Sequence, residues 1–599
     1  VEEHASLIAD LEVSAAIVAV LVALSLLVFF RDWLATGALL VSLFTGTLLT
    51  FAVTYFTVGY LNANSAFLGS IVLGNGINFG IILVARYLEE RRRGDAGGLS
   101  AEQRLEIATS HTLNATLAAA MAAGLAYGSL ILTSFRGFRQ FGIIGMIGMA
   151  ICWLASFTTL PALLTLIDRR RRRKGLEAGG VAKLRARSVV REHGQFVRVV
   201  ALAVEHFPRS LLVVSALLTL GAGVAFFTHQ GDIFETDNSH LRDKKSMTQG
   251  SGYLSKYLDQ VFQRYTSPVV ILAPSREATP RIAEAVEKAK REGPAGKLIS
   301  SVLTIDTFVP KEQKQKIEWL GQIRSRLGPR VQRAMGPKDR QLIGKLLNED
   351  AFKPFGIHDL PAMVRERFRE NDGSLGKVVL VEPVFDPIVL NDANNQSQFI
   401  ASLRRAADGV HAGAPVVGQL PLTVDMYQSV KHDGPQATLL ALGAVTLLAV
   451  FMMRSWRSVG LVVGSLALGV FWMMGVVFGK DFKINFLNFI ALPITFGIGV
   501  DYAVNVYQRY RLEGRGSALK VIRSTGGAVT LASLTTMIGY GSLLIAGNRG
   551  FVSFGRIAIL GEITCLMTAL IVLPAYLRIR DGRAKPEARQ ETGALDKAA

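Results

Sequence analysis

Eleven apolar stretches, each about as long as a membrane crossing, constrain this chain more than any other feature. About 20 residues of helix cross the ~30 Å hydrocarbon layer of a bilayer. The stretches near 13–31, 37–60, 65–87, 113–134, 139–167, 208–228, 437–454, 459–479, 485–508, 526–546 and 552–578 meet that length. Inside lipid every backbone N–H and C=O needs an internal partner, so each stretch is read as a helix. Half of the 599 residues are hydrophobic, yet the formal charge is +19. Most of that charge lies in short segments between apolar runs, the pattern of a polytopic α-helical membrane protein with basic loops on one side.

Lysine and arginine set the orientation. Arg91, Arg92 and Arg93 follow the third stretch, Arg169 to Arg173 with Lys174 the fifth, Arg509, Arg511 and Arg515 the ninth, and Arg578, Arg580 and Arg583 the last. Basic ends face the cytoplasm. A basic linker, 168–207, and a tail, 579–599, are then cytoplasmic, and the polar segment 229–436 between the sixth and seventh stretches faces outward. These clusters act as topology signals, and nothing in them calls for a nucleic acid partner. The outer segment is long enough for a domain of its own. Pro268–Leu272, Leu298–Val309, Lys377–Phe385 and Pro415–Gly418 read as strands, and Pro280–Gly293 and Gln396–Val410 as helices. That order suggests split βαβ units. An inserted helical stretch, 311–350, carries Ile317, Leu320, Ile323, Leu327 and Val331 on one stripe among many Lys and Arg residues. The stripe is expected to pack and the charges to be solvated; the rival reading is a surface for anionic headgroups or a partner.

The two cysteines, Cys152 and Cys565, both lie in apolar runs, so no disulfide framework or metal site is expected. No zinc, haem, P-loop or nucleotide motif is present in the sequence, which argues against an ATP-driven pump on this chain alone.

The chain repeats itself. An offset of 423 takes Arg31 to Arg454, Trp33 to Trp456, Asn62 to Asn485, Gly74 to Gly497, Gly76 to Gly499, Arg86 to Arg509 and Tyr87 to Tyr510. An offset of 413 then takes Tyr127-Gly128-Ser129 to Tyr540-Gly541-Ser542, Arg136-Gly137-Phe138 to Arg549-Gly550-Phe551, Cys152 to Cys565 and Pro161 to Pro574. Two membrane units of one design, 1–167 and 437–578, follow from this register. The second is preceded by a span, 208–228, and the outer segment. The inequality leads to the expectation that a further span and outer domain precede Val1, making twelve spans in all.

Within the ninth stretch, Gly497-Ile498-Gly499-Val500-Asp501-Tyr502 places a carboxylate in mid-membrane. A charge there costs about 2.5–3.5 kcal/mol on insertion scales and marks a functional site by default. Asp501, Asn505 and Gln508 share one helix face, and Thr530, Ser533 and Thr536 share a face of the next helix. Two such stripes can hold water and hydrogen-bond the carboxylate with or without its proton. Glu562, in the last stretch, is a second intramembrane carboxylate, although a plain ion pair would also explain it. The first half departs from the pattern: Asn78 stands where Asp501 stands, Phe79 for Tyr502, Ile82 and Ala85 for Asn505 and Gln508, and Met149 for Glu562. Asn78 cannot titrate, and is expected to hydrogen-bond Asp501 across the pseudo-twofold axis.

The Gly497–Tyr502 motif with Tyr507-Gln508-Arg509-Tyr510 after it, the Thr535-Thr536-Met537-Ile538-Gly539-Tyr540 motif, and the two-half layout resemble the resistance-nodulation-division superfamily. The resemblance is to its MMPL branch, which includes hopanoid and mycolate-lipid exporters. It implies a secondary transporter of the bacterial inner membrane rather than an enzyme, with a periplasmic porter-like domain. It implies export of hydrophobic or amphipathic molecules, lipids foremost, driven by a proton gradient with no other cofactor. The relay would use Asp501, Tyr502, Thr535, Thr536, Asn78, Asn505 and Glu562. Membrane lipids, a homo-oligomer or a periplasmic partner are further expectations. The alternatives are a protein-export accessory of the same superfamily and a non-transporting lipid sensor or scaffold.

Overall fold

The computed structural model describes residues 2–62, 65, 67–94, 100–173, 195–262, 267–328, 331, 334–336, 338–339, 344, 352–386 and 392–583. The chain forms two compact units: Val1–Glu235 with Ser239–Tyr253 and Met426–Ala599, and Thr236–Asn238 with Leu254–Asp425.

Among the described residues, eleven helices are long and apolar enough to cross a membrane, all in the first unit except the start of Gln419–Met453. Helix starts follow local chemistry. The side chain of Asp32 caps Trp33–Thr57 by accepting from Leu34 and Ala35 N–H, and Asn548 does the same for Arg549–Met567. Several helices outrun the apolar stretch. Ala101–Gly128 begins before 113, and Ala518–Gly541 before 526. Gln419–Met453 begins before 437, so the outer segment ends earlier than 436. Hydropathy sees only the lipid-facing part, while hydrogen bonding carries the helix beyond it. Residues 239–253, assigned to the outer segment, belong to the membrane unit, where Lys244 N–H donates to the Gly547 carbonyl at 3.0 Å. Both described ends of the expected linker are helical. Arg136–Arg173 runs into it, and Gln195–His206 packs Val197, Val200, Ala201 and Val204 against Ile522 and Ala575. Its middle, 174–194, and the tail beyond 583 lie outside the described residues.

The repeat is visible in how helices approach one another. A Cβ on Gly74 would sit 3.0 Å from the Gly539 Cα, and one on Gly497 would sit 2.5 Å from the Ala126 Cβ. Gly539 is the repeat mate of Ala126, so each half sends its glycine helix against the same helix of the other half. The two cysteines also match. A Cβ on Gly76 would lie 2.7 Å from Cys152 Sγ, and one on Gly499 would lie 2.7 Å from Cys565 Sγ. Small residues let membrane helices pack at backbone distance. Both cysteines are buried and free.

The second unit, taken by itself, is an α/β sandwich. Strands β1 (Val269–Leu272), β2 (Ile299–Leu303), β3 (Val378–Pro383) and β4 (Val416–Val417) form an antiparallel sheet of order β2-β3-β1-β4. Helix Ala278–Glu292 joins β1 to β2, and Ala393–Asp408 joins β3 to β4. In each joined pair one strand of the other pair lies between the two, the split βαβ arrangement expected. Ile282, Val286, Phe399 and Leu403 pack on one sheet face, while Ile305, Leu360 and Phe368 cover the other. β3 is accordingly buried along its whole length. The strand expected over 298–309 stops at Leu303. Thr304 and Thr307 then bond each other's turn groups and wind Ile305–Phe308 into a 3₁₀ helix. The basic insert forms helix Gln313–Arg326, but its stripe does not pack: none of its residues is buried and Ile323 is 49% exposed. Beyond 328 most of the insert lies outside the described residues.

Candidate functional site

Helix Ala491–Glu513 is the most enclosed of the described spans, with every residue from Pro493 to Tyr507 buried. Asp501, Tyr502 and Asn505 are all inaccessible on it, at 5, 1 and 6% exposure. One turn separates Asp501 from Asn505, and that spacing lets the Asn505 amide donate to both the Asp501 carboxylate and, at 3.0 Å, its backbone carbonyl. Tyr502 points to a different helix, where its hydroxyl donates to the Glu562 carboxylate. Glu562 lies in Arg549–Met567 and is 2% exposed, so it is not at the bundle's edge. Downstream of it the span carries a π-turn, Thr568–Val572, just before Pro574. Proline has no N–H to give and disturbs the helical ladder at such a point.

The two carboxylates lie within electrostatic reach of one another. Among the described residues neither pairs with a cation; the ion pairs of this helix are at its basic end, where Arg509 meets Glu513 at 2.7 Å and Glu89 at 3.5 Å. A buried ionised carboxylate without a cation costs several kcal/mol even after relaxation. Gain or loss of one proton here therefore changes the energy of the whole helix packing.

Thr535 and Thr536 are both fully buried on Ala518–Gly541. They meet Asn78 rather than Asp501: Thr535 donates to Asn78 Oδ1 at 3.2 Å, and Asn78 Nδ2 donates to Thr536 at 3.2 Å. The expected bond between Asn78 and Asp501 is thus replaced. The amide of the first half is spent on the hydroxyls of the second, because the glycine contact at Gly74 and Gly539 draws those helices together. Thr530 is half-buried and returns its hydroxyl to Gly526 O at 2.7 Å, and Ser533 is buried with its hydroxyl unpartnered among the described residues. Gln508, Asn505 and Thr530 line one cavity. Of the two expected polar stripes, Asn505, Gln508 and Thr530 survive as a cavity wall, while Asp501 bonds Asn505, Thr536 bonds Asn78 and Ser533 joins neither group.

One group was missed by the motif reading. Asn75 Nδ2 lies 3.3 Å from the Tyr127 hydroxyl and 3.2 Å from that of Tyr540. The tyrosines are repeat mates, both buried, and they meet at one amide on the local twofold. Their match in the repeat was the available signal; Asn75 itself, opposite Ile498, had none.

The MMPL family model matches residues 3–202 and 389–594, most of both membrane halves. The chain belongs to the MMPL family. It is a multi-pass membrane protein. It is 24% identical to the hopanoid transporter HpnN of Rhodopseudomonas palustris (strain TIE-1), over 93% of this chain and 65% of that relative. It is 24% identical to HpnN of Burkholderia multivorans (strain ATCC 17616 / 249), over 94% and 67%. It is 24% identical to the probable transport protein MmpL10 of Mycobacterium leprae (strain TN), over 56% and 32%. The chain thus spans about two thirds of the length of the hopanoid transporters it matches.

Proposed function

We propose that this chain is part of a proton-driven exporter of lipids or lipid-like amphiphiles in a bacterial inner membrane, with the Leu254–Asp425 unit in the periplasm. The observation that carries the reading is the pair of carboxylates, Asp501 and Glu562, buried in a membrane bundle with no cation paired to either among the described residues, the first bonded by Asn505 and the second by Tyr502. MMPL membership and the two hopanoid transporters support the lipid class of cargo.

In this mechanism Asp501 takes up and releases the proton. Asn505 holds its carboxylate, and Tyr502 passes the change to Glu562. Asn78, Thr535 and Thr536 fix the facing helices. One charge crossing 100 mV supplies about 2.3 kcal/mol, before any pH difference. The cycle needs no other cofactor. Contact with membrane lipids, self-association and a periplasmic partner belong to the same proposal.

The test uses vesicles containing the native protein, a pH-sensitive dye and an imposed pH gradient, with lipid transfer measured in parallel. Asp501→Asn keeps the shape and loses the titrating group. It is expected to insert and melt like the native protein while proton-coupled lipid transfer drops to background. Native transfer by Asp501→Asn would overturn the mechanism.

A further inference from the structure

A large cavity opens at the basic end of the membrane unit, between helices Glu2–Phe30, Asn78–Gly94, Ala491–Glu513 and Ala518–Gly541. Its volume is about 1560 Å³. Small-molecule pockets usually measure about 300–1,000 Å³, so this space suits something larger. Along Ala518–Gly541 the lining runs from Lys520 to Ile538, a rise of roughly 27 Å at ~1.5 Å per residue. That is more than one leaflet of a hydrocarbon core about 30 Å thick.

The two ends of the cavity differ in chemistry. Leu21, Leu24, Val28, Ala528, Leu531 and Ile538 supply apolar lining. Leu24 and Val28 are 55 and 65% exposed, so this wall is an open trough rather than a sealed core. Five cationic side chains, Arg31, Arg86, Arg509, Lys520 and Arg523, line it with one carboxylate, Glu89. Glutamates outside the lining compensate part of that charge. Glu90 pairs with Arg86 at 2.6 Å, Glu513 with Arg509 and Lys520, and Glu205 with Arg523 at 3.2 Å. The cavity surface nevertheless presents cations. Arg86 and Arg509 are also bonded by Glu89, at 2.8 and 3.5 Å, whereas Arg31 is exposed and the side chains of Lys520 and Arg523 stay 61 and 48% exposed beside their partners.

We propose that this cavity binds an anionic glycerophospholipid from the leaflet at the basic end, its phosphate held at the cationic end and its acyl chains laid in the apolar trough. A cationic site under an open apolar trough of this length matches a lipid better than a soluble anion, which has nothing to place along Leu24, Leu531 and Ile538. The occupant also sits one side chain from the carboxylate, because Asn505 lines the cavity and bonds Asp501. Binding is an equilibrium property of the cavity and needs neither a gradient nor transport, so it stands apart from the proton-driven reading.

The test is native mass spectrometry of the full chain, delipidated in neutral detergent and titrated with phosphatidylglycerol or phosphatidylcholine of equal chain length. Each cation near an anionic lipid headgroup is worth about a fivefold preference. Phosphatidylglycerol adducts are expected to exceed phosphatidylcholine adducts by at least that factor. Lys520→Gln with Arg523→Gln, both well exposed, should cut that preference at least about fivefold without changing the melting temperature. Leu531→Trp, which fills the trough, should reduce retention of both. Arg457→Gln with Arg515→Gln, charges outside the lining, should leave the preference unchanged. Equal retention of both lipids by the native chain, insensitivity to the cavity variants, an equal loss in the control variant, competition by glycerol 3-phosphate alone, or a lipid-free dimer in which a second copy covers the trough would each overturn the proposal. None of these results touches the Asp501→Asn flux experiment, which fails or succeeds separately.

Discussion

Glu562 shows how one side chain changes meaning with its surroundings. Its repeat mate is Met149, so the fold does not need a carboxylate at this position. In place it is buried and accepts from Tyr502, which is adjacent in sequence to Asp501. If Glu562 serves the proton path, Glu562→Gln keeps size and hydrogen bonding and should still cost at least about tenfold in coupled transfer, the ordinary scale for losing a positioned acid or base. Its melting temperature should stay close to that of the native protein, since glutamine keeps the size and can still accept from Tyr502. Proton and lipid flux measured together in vesicles check this; unchanged flux would make Glu562 structural. Asn78 is the contrasting case. It cannot titrate and its amide is engaged by Thr535 and Thr536. Asn78→Ala should lose roughly 1–3 kcal/mol of stability, because Thr536 loses its amide donor while Thr535 keeps its bond to the Ala532 carbonyl at 2.8 Å. It should also retain more transport than Asp501→Ala. Equal loss of flux in the two variants would show that the first half shares the proton chemistry.

Between elements, the closest helix approaches are made at glycine and cysteine. Cys565 reaches between two helices: a Cβ on Gly499 would meet its Sγ at 2.7 Å, and one on Gly469 would meet its Cα at 2.9 Å. Cys152 does the same between Gly76 and Gly46. Gly499 lies two residues from Asp501 on the same helix. Gly499→Ala should therefore destabilise the bundle by about 1–3 kcal/mol, the usual cost of overpacking. Cys565→Ala shortens the side chain that the new methyl would strike, and the double variant should regain part of the loss. Gly443→Ala is the control, because nothing lies within 4 Å of a Cβ there. Melting curves of the four proteins in detergent check the series. A double variant no better than Gly499→Ala would place the strain in the backbone instead.

At the scale of the membrane unit, the halves share a frame but differ in how they are tied at the basic end. Tyr87 bonds Asp168 in the first half, and Tyr510 bonds Asp581 at 2.7 Å in the second. Asp32 is peculiar to the first half; its mate is Ser455, which makes no side-chain cap bond. Asp32 caps Trp33–Thr57 and also accepts from Arg171 at 2.8 Å and Arg91 at 3.3 Å, tying three helices together. Burial by itself would raise its pKa, but the Arg171 bond and charge, the Ala35 N–H and Arg91 together hold it below the usual carboxylate range. A depressed carboxylate contributes stability above its unfolded value, about 3.9, and that contribution is lost as pH falls through the lower folded value. Asp32→Asn keeps a good cap and removes the charge. It should lower stability at pH 7 by roughly 1–2 kcal/mol, on the scale of charged hydrogen bonds, with the difference from the native protein shrinking below about pH 4. Melting temperature against pH in both proteins reads this directly, and a constant gap down to pH 3 would contradict it.

The number of spans, the twofold repeat, the split βαβ order and the place of Asp501 could all be read from the chain. Each depends on one segment at a time: on the thickness of lipid, on the period of a strand or helix, or on the cost of a charge within a single span. What the tertiary structure decided were the partners. Nothing local places Tyr502 on Glu562, 60 residues away. Nor does it send Asn78 to Thr535 and Thr536 instead of Asp501, gather Tyr127 and Tyr540 on Asn75, or open a cavity beside Asn505. Those outcomes depend on how each helix is rotated and how closely it approaches its neighbours. In this bundle Gly74, Gly497 and Gly539 set the approach between the halves and the two cysteines set it within each half, and both effects exist only once separate helices are packed together.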